Sequence, residues 1–594
     1  MSNRLSRWLV GLYFLLPALG FIKLWPLPSA FVSGLSLIVG TAIFAVSLMR
    51  ASTAGFRVPV FSAILISLFV FYLIYQLNPG SALGSADVWQ LVALLIASVW
   101  VIDRETPDGH SIFCSQKITR YLAAGGLFYC LISLVMHYAQ FFGPEPERVL
   151  ARLPGVWGQP NLTSTMAWLA IFSLSFSRFA RDHSSLYWSG LVLASVVVGL
   201  AASRTSLIDF LLLVILVVWS LKQGTKRANS VKHSLKVLLV ILVFAVAAPT
   251  LNERLYTGLG YELPDDSFSA SIAGRMSADS VRFEEHRRLL RHWLDLETTE
   301  QVLGVGNYGA FSLEARRAGF SSALASSAPA HSHNMFSMIL VEHGLIALAI
   351  ALVGTFWVFR RFYLARNEAW FPAIFGCFMV IFIHSQLEYP LWYPWFLMLF
   401  VALIGTVDRR IAVRIESPVL MRACSVAVLL VVCLTSLNMV NQLKSILGVG
   451  LSEERSVENY DQLRILGRDL FLGDYARLAR IRAYGPAYGD LNRQLREIEG
   501  LKMREPRDLV LMREVVLLIM SEATLPEICK RAEDLALFYP FTSVILMEKA
   551  TLLGPKGLRV MGVLPNCLEE GLKPWGEDLN SVAEHNRRII NDAL

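Results

Sequence analysis

Charge is scarce in this chain of 594 residues: Asp, Glu, Lys and Arg make up 17% of it, against 55% hydrophobic residues. Soluble domains carry about a quarter charged residues, so this balance, with a mean hydropathy of +0.50, excludes a water-soluble globule. Cysteine is sparse too, at seven, and none of the seven falls in a C-x-x-C or Cys/His spacing that suggests a metal site. No segments of alternating apolar and polar residues recur, which excludes a membrane barrel. The short basic start, Arg4 and Arg7, precedes an apolar run without a small-residue cleavage site. That run is therefore read as a retained span and not as a removed signal peptide.

What the chain has is apolar runs long enough to cross a bilayer. They lie near 8–23, 29–48, 58–77, 86–102, 121–140, 163–180, 186–202, 206–221, 235–250, 335–358, 369–386, 391–407 and 420–440. Lipid offers no partner for an unpaired backbone group, so these must be helices. The expected fold is an all-α polytopic membrane protein of about 13 transmembrane helices. Its parts are helices one to nine over 1–250, a large external loop over 251–334, helices ten to thirteen over 335–440, and an external all-helical domain over 441–594.

The short loops give the orientation. With the N-terminus inside, cytoplasmic loops hold Arg50, Arg57, Arg104, Lys117, Arg120, Arg178 and Arg181, then Lys222, Lys226, Arg227, Lys232 and Lys236, then Arg360, Arg361, Arg366, Arg409, Arg410 and Arg414. The opposite short loops hold only Lys23, Arg148, Arg152 and Arg204, a bias of about fivefold. Loop 251–334 and the tail are then expected outside the membrane, on the face opposite the N-terminus. Topology accounts for most of the net charge of +7, which leaves no argument for nucleic-acid binding.

After residue 451, "NYDQLRILGRDLFLGDYARLARIRAY" and "DLVLMREVVLLIMSEATLPEICKRAEDLALFYP" place apolar residues at three- and four-residue spacing, broken by Gly and Pro. This predicts a small domain of stacked helices. Cys529 and Cys567 fall in it; in an oxidising compartment they pair, or they stay as buried thiols.

Polar residues gather at the expected outer face. Arg204, in the turn "AASRTS", either snorkels to the interface or binds a ligand; Asp209, about a turn deeper, is its partner or a second polar contact. "GVWGQPNLTSTMAWLA" opens the sixth span with Trp157, Gly158, Gln159 and Asn161, more than a helix cap requires. "SADSVRFEEHRRLLRHWLDL" reads as a basic helix with Arg282, Arg288 and Arg291, followed by Gly304 and Gly306. Such a face is usually just solvated, yet arginines beside an outer leaflet suit a lipid diphosphate. "HSQLEYPLWYPWFL" sets Glu388 among Tyr389, Tyr393 and other aromatics; an interfacial belt explains the rings but not the acid. Finally, "SAPAHSHNMFSMILVEHG" puts His331, His333 and Asn334 at the mouth of the tenth span.

"HNMFSMILVEHG" resembles the His-Asn, nine residues, Gly pattern of the O-antigen ligase and polymerase superfamily, through His333, Asn334 and Gly344; Ala347 stands where that pattern often has a small residue. "GVG" followed by Phe311 is similar to that superfamily's loop, with a longer spacing from the arginines, so that either Arg282 or Arg288 fills the loop position. "GQPN" at 158–161, "EYPLWY" at 388–393 and the helical tail resemble the bacterial protein O-oligosaccharyltransferases of the PglL type.

The resemblance implies a glycosyltransferase whose donor is an oligosaccharide on undecaprenyl diphosphate and whose acceptor is a Ser or Thr hydroxyl of an exported protein such as a pilin. It implies a catalytic set of His333, Arg204 and Arg282, and substrate-binding roles for Gln159, Asn161, Asn334, Arg288, Glu388, Tyr389 and Tyr393. The outer loops hold no Asp/Asn cluster at metal-ligand spacing, so metal-independent transfer without a cofactor is expected. A lipopolysaccharide O-antigen ligase or glycan polymerase would share the same core residues. A transporter of lipid-linked glycan would instead place its ionisable groups along a mid-membrane path.

Overall fold

The computed structural model describes residues 2–21, 30–51, 56–76, 115–143, 146–176, 184–223, 228–263, 281–305, 333–388, 390–408 and 411–415, scattered positions between 417 and 448, and then 456–468, 473–484, 490–502, 508–573 and 579. In chain order its helices are α1 (Ser2–Leu15), α2 (Ala30–Ala51), α3 (Val60–Gln76), α4 (Ser115–Ala139), α5 (Pro160–Ser175), α6 (Ser184–Ala201), α7 (Thr205–Lys222), α8 (Ala228–Gly258), α9 (Val281–Leu294), α10 (Thr298–Leu303), α11 (Met335–Leu364), α12 (Phe371–His384) and α13 (Pro394–Gly405). The tail adds α14 (Val457–Leu466), α15 (Gly473–Ala483), α16 (Leu491–Lys502), α17 (Asp508–Met520), α18 (Leu525–Phe538), α19 (Pro540–Thr551), α20 (Pro555–Met561) and α21 (Leu564–Leu572).

Among the described residues five helices are long and apolar enough to cross a membrane: Lys117–Phe142, Ser184–Ala201, Thr205–Lys222, Val231–Gly258 and Met335–Leu364. Shorter apolar helices cover Trp8–Gly20, Gly34–Ile43, Phe371–His384 and Pro394–Gly405. The chain is an α-helical membrane protein. The expected spans at 186–202 and 206–221 coincide with α6 and α7 to within two residues; those at 86–102 and, for the most part, 420–440 lie outside the described residues. α8 continues through Pro249 to Gly258, past the expected end at 250. A proline inside an apolar helix is tolerated in a membrane, where neighbouring groups satisfy the freed carbonyl.

The chain divides into two compact units. One comprises Met1–Val70, Gln90–Asp279 and Ile350–Ser436; the other comprises Phe71–Trp89, Ser280–Ala349 and Leu437–Leu594.

In the first unit, α7 shows how a membrane helix sorts its faces. Ser206, Asp209, Leu213 and Leu216 are buried, while Leu207, Leu211, Ile215 and Val218 are exposed in a stripe, an apolar surface that only lipid or protein can cover. α1 is tied to α13 by a reciprocal pair: Tyr13 Oη donates to the Trp395 carbonyl at 2.8 Å and Trp395 Nε1 to that of Tyr13 at 2.9 Å. Among the described residues one short ribbon accompanies the helices. Phe56–Pro59 (β1) and Ile411–Ile415 (β2) pair antiparallel, with Arg57 opposite Arg414. Both strands lie in short connections between helices, and their pairing satisfies backbone groups of each. Beside it Asp408 accepts from Phe61 N at 2.9 Å and lies 3.6 Å from Arg361.

In the second unit, the tail is a set of short helices packed on one another. Val515, Ile519, Ile528, Ala532, Leu535, Leu546, Leu568 and Leu572 form its buried core, the positions the three- and four-residue spacing selects. Cys529 on α18 and Cys567 on α21 are joined in a disulfide, Cα to Cα 5.1 Å. The expected tenth span, 335–358, is interrupted: Gly344 stands at φ +77° inside α11, a backbone conformation no helix contains.

Candidate active site

α5 begins where the chain turns sharply. Pro160 occupies its first turn, and Gln159 before it is extended at φ −134°, ψ 111°, as a residue preceding proline must be. The geometry presents Asn161 at the helix start. Its Oδ1 accepts from Arg152 Nη2 at 2.9 Å, and its Nδ2 donates to Glu388 Oε1 through a short contact. Two oppositely charged neighbours thus fix which way the amide points. Arg152 is braced by its Nε, which donates to the Ala201 carbonyl at 2.9 Å. Glu388 is 2% exposed, and its N–H donates to the His384 carbonyl at 2.7 Å.

Aromatic packing joins the same two segments. Trp157 stacks on Tyr393, centroids 5.4 Å apart and planes at 22°, and meets Phe396 edge-on at 5.2 Å. Its Nε1 donates to the Pro17 carbonyl at 3.0 Å. "GVWGQPN" and "EYPLWY", which sequence resemblance singled out separately, are therefore in direct contact through both a polar and an aromatic pair. Gln159, between Trp157 and Asn161 in the first segment, is half-buried; Tyr389 lies outside the described residues.

Arg204 caps the start of α7, half-buried, and among the described residues no hydrogen bond or ion pair engages its guanidinium. α7 leans on the first turn of α5 through Ser206 Oγ and Ser164 Oγ, 2.7 Å apart. Asp209 is not the partner of Arg204. Its Oδ2 lies 3.0 Å from His384 Nε2, because a helical turn separates the two α7 residues while α12 packs directly on the Asp209 face.

In the second unit, His333 is half-buried at φ +52°. His, Asn and Asp are the side chains that tolerate the left-handed region best, but holding one there still costs on the order of 1 kcal/mol. The next residue explains the bend: Asn334 Oδ1 accepts from Phe336 N and Ser337 N, both at 3.0 Å, and caps α11. Nine residues on, Gly344 meets Gly304. A Cβ on Gly344 would stand 2.2 Å from the Val302 carbonyl oxygen, and one on Gly304 2.3 Å from that of Glu342. Val305 N donates to the Val341 carbonyl at 2.9 Å across this junction. The two glycines let the segment at 302–305 seat on the helix that follows His333 and Asn334. Arg282 and Arg288 lie on α9, which leads into that junction; their side chains, and His331, Gly306 and Phe311, lie outside the described residues. Among the described residues no group of three or more His, Cys, Asp or Glu is placed to hold a metal ion.

Sequence reading missed Arg152, Thr165 and His384. Arg152 was counted only as a loop charge, although it sits on the arginine-poor side, the same signal that marked Arg204. His384 stands four residues before Glu388, one helical turn, and was absorbed into an aromatic belt.

Residues 189–352 match the family described as O-antigen ligase, and residues 373–525 match the one described as virulence factor membrane-bound polymerase, C-terminal. The two matches support the O-antigen ligase superfamily. The first covers Arg204, His333 and Gly344; the second covers Glu388, Tyr393 and the start of the tail. No curated protein matches the chain.

Proposed function

We propose that this chain transfers a preassembled oligosaccharide from an undecaprenyl-diphosphate carrier to Ser or Thr hydroxyls of exported proteins such as pilins, at the periplasmic face of a bacterial inner membrane. The observation that carries the reading is the Arg152–Asn161–Glu388 chain, which joins the two segments most similar to protein O-oligosaccharyltransferases. The superfamily acts on a lipid-linked oligosaccharide and an acceptor, which is the chemistry these groups suit.

In this reading the acceptor hydroxyl oxygen attacks the anomeric carbon and gives its proton to His333 as general base. The bond from that carbon to the diphosphate oxygen breaks, and the lipid diphosphate leaves with the electron pair. Arg204 and the loop arginines Arg282 and Arg288 neutralise its charge. Gln159, Asn161, Asn334, Glu388, Tyr389 and Tyr393 hold donor and acceptor. The proposed topology has 13 spans with the N-terminus in the cytoplasm and the C-terminal domain in the periplasm. The Cys529–Cys567 bridge supports an oxidising compartment for the tail, and the β1–β2 ribbon joins two loops expected together on the other side.

Glycan polymerase activity is the second reading, favoured by the match of 373–525 to a membrane-bound polymerase. Purified enzyme given lipid-linked oligosaccharide and a pilin separates the two. Added glycan mass on the pilin supports the proposal; elongated lipid-linked glycan with an unmodified pilin transfers the assignment to the polymerase, and neither product defeats both.

A further inference from the structure

We infer that Asp209, His384 and Thr165 form a buried, net-neutral hydrogen-bond chain whose task is to position Asn161 and Glu388. The inference rests on the functional reading above for its kinetic consequence and on geometry alone for its existence.

The chain has a direction, and proton counting sets it. Thr165 Oγ1 lies 2.9 Å from the Asn161 carbonyl, to which it must donate, since that oxygen has no proton of its own. A hydroxyl has a single proton, so the 2.6 Å contact between Thr165 Oγ1 and His384 Nδ1 is donated by Nδ1–H. On the other side of the ring, Nε2 lies 3.0 Å from Asp209 Oδ2. That contact is attractive only if one proton lies between them, carried by either atom. The Asp209–His384 pair therefore holds one proton on Nδ1 and one shared proton, and its net charge is zero in both arrangements. Asp209, His384 and Thr165 are each fully buried, and Asp209 Oδ1 accepts no hydrogen bond from the described residues. Removing the shared proton would leave a bare negative charge inside an apolar bundle, which is costly. The pair is thus built to stay neutral and to hold, not to deliver protons.

What it holds is the substrate-facing pair. The His384 ring reaches the Asn161 carbonyl through Thr165, and the His384 carbonyl accepts from Glu388 N–H at 2.7 Å. One residue thereby anchors both partners of the Asn161–Glu388 contact, from α5 on one side and from the end of α12 on the other. His384 and Asp209 are positioning residues, one layer beneath the groups proposed to touch donor.

Two matched pairs of variants test this in the full-length enzyme. Thr165→Ser keeps the hydroxyl and Thr165→Val removes it. Asp209→Asn keeps a donor toward Nε2 without adding net charge, and Asp209→Leu, also neutral, removes that partner and leaves Nε2 unmatched. Thr165→Ser and Asp209→Asn are expected to retain parental KM, kcat and pH profile. Thr165→Val and Asp209→Leu are expected to raise KM for the lipid-linked donor about tenfold with kcat changed less than about threefold. Should Asp209→Leu fail to fold, the Thr165 pair carries the test alone. Parental KM in Thr165→Val, or equal impairment of Ser and Val at 165, overturns the inference, as does a shifted pH profile in Asp209→Asn. If the parental enzyme transfers no lipid-linked glycan, the functional reading fails and amide exchange decides the chain separately. Faster exchange at Glu388 and over 160–165 in Thr165→Val, but not in Thr165→Ser, sustains it; unchanged exchange in Thr165→Val ends it.

Discussion

The side-chain amide of Asn161 donates to the carboxylate of Glu388 across 227 residues of sequence, while its oxygen receives the guanidinium of Arg152. An amide held between a cation and an anion cannot rotate without losing both bonds. Glu388→Ala removes one of them and leaves the half-buried Asn161 donor unmatched. The expected result is a fall of about 100-fold in kcat/KM, ~2.7 kcal/mol of transition-state stabilisation, with protein level unchanged. Asn161→Asp keeps the shape but sets two carboxylates face to face, and steady-state kinetics should show a loss at least as large.

Arg204 starts α7 beside the same helix turn, with a guanidinium that no described residue engages. Arg204→Ala is expected to lower transfer by about 100-fold or more, while protease protection of the membrane-inserted chain stays parental. Full activity in this variant would remove Arg204 from the site.

Much of this arrangement was legible beforehand, and the failures have physical causes. α6 and α7 fall where the apolar runs put them because hydrophobic length alone decides a span. Asn161 and Glu388 were marked because a polar group at a membrane surface stands out against its neighbours. For Asp209 the sequence offers a pairing with Arg204, five residues away, or a second polar contact, since local spacing is what a sequence displays; its partner, His384, is 175 residues distant, and only helix packing brings it near. The break at Gly344 was read as a continuous span because glycine is common in membrane helices, and nothing local says which glycine will take a positive φ. The β1–β2 ribbon joins segments more than 350 residues apart, a pairing that neither four-residue strand announces.

Gly304 and Gly344 press backbone to backbone, each at a positive φ. Gly344→Ala adds a methyl group against the Val302 carbonyl and forces alanine into a positive-φ, extended-ψ conformation that only glycine adopts readily, which alone costs about 1–3 kcal/mol. The expected outcome is a fall in thermal stability together with faster amide exchange over 302–305. An unchanged exchange pattern would contradict the close approach.

Cys529 and Cys567 close a loop of 38 residues between α18 and α21. Replacing both by Ser should destabilise the tail by about 3 kcal/mol, seen as earlier proteolysis of 508–572 on a denaturant gradient. Treatment with reductant should reproduce that shift in the parental protein and leave the double variant unaffected. A reductant-insensitive parental protein would show that the bridge is not formed.

His333 carries the central claim. It stands at φ +52° before a capped helix, half-buried, where the lipid carrier would present its sugar. The most direct measurement is single-turnover transfer by purified His333→Ala enzyme, supplied with lipid-linked oligosaccharide and a pilin and compared with the parental enzyme at matched thermal stability. The account predicts a stable protein that binds donor, leaves it unreacted and adds no glycan mass to the acceptor. Parental turnover in that variant would contradict it.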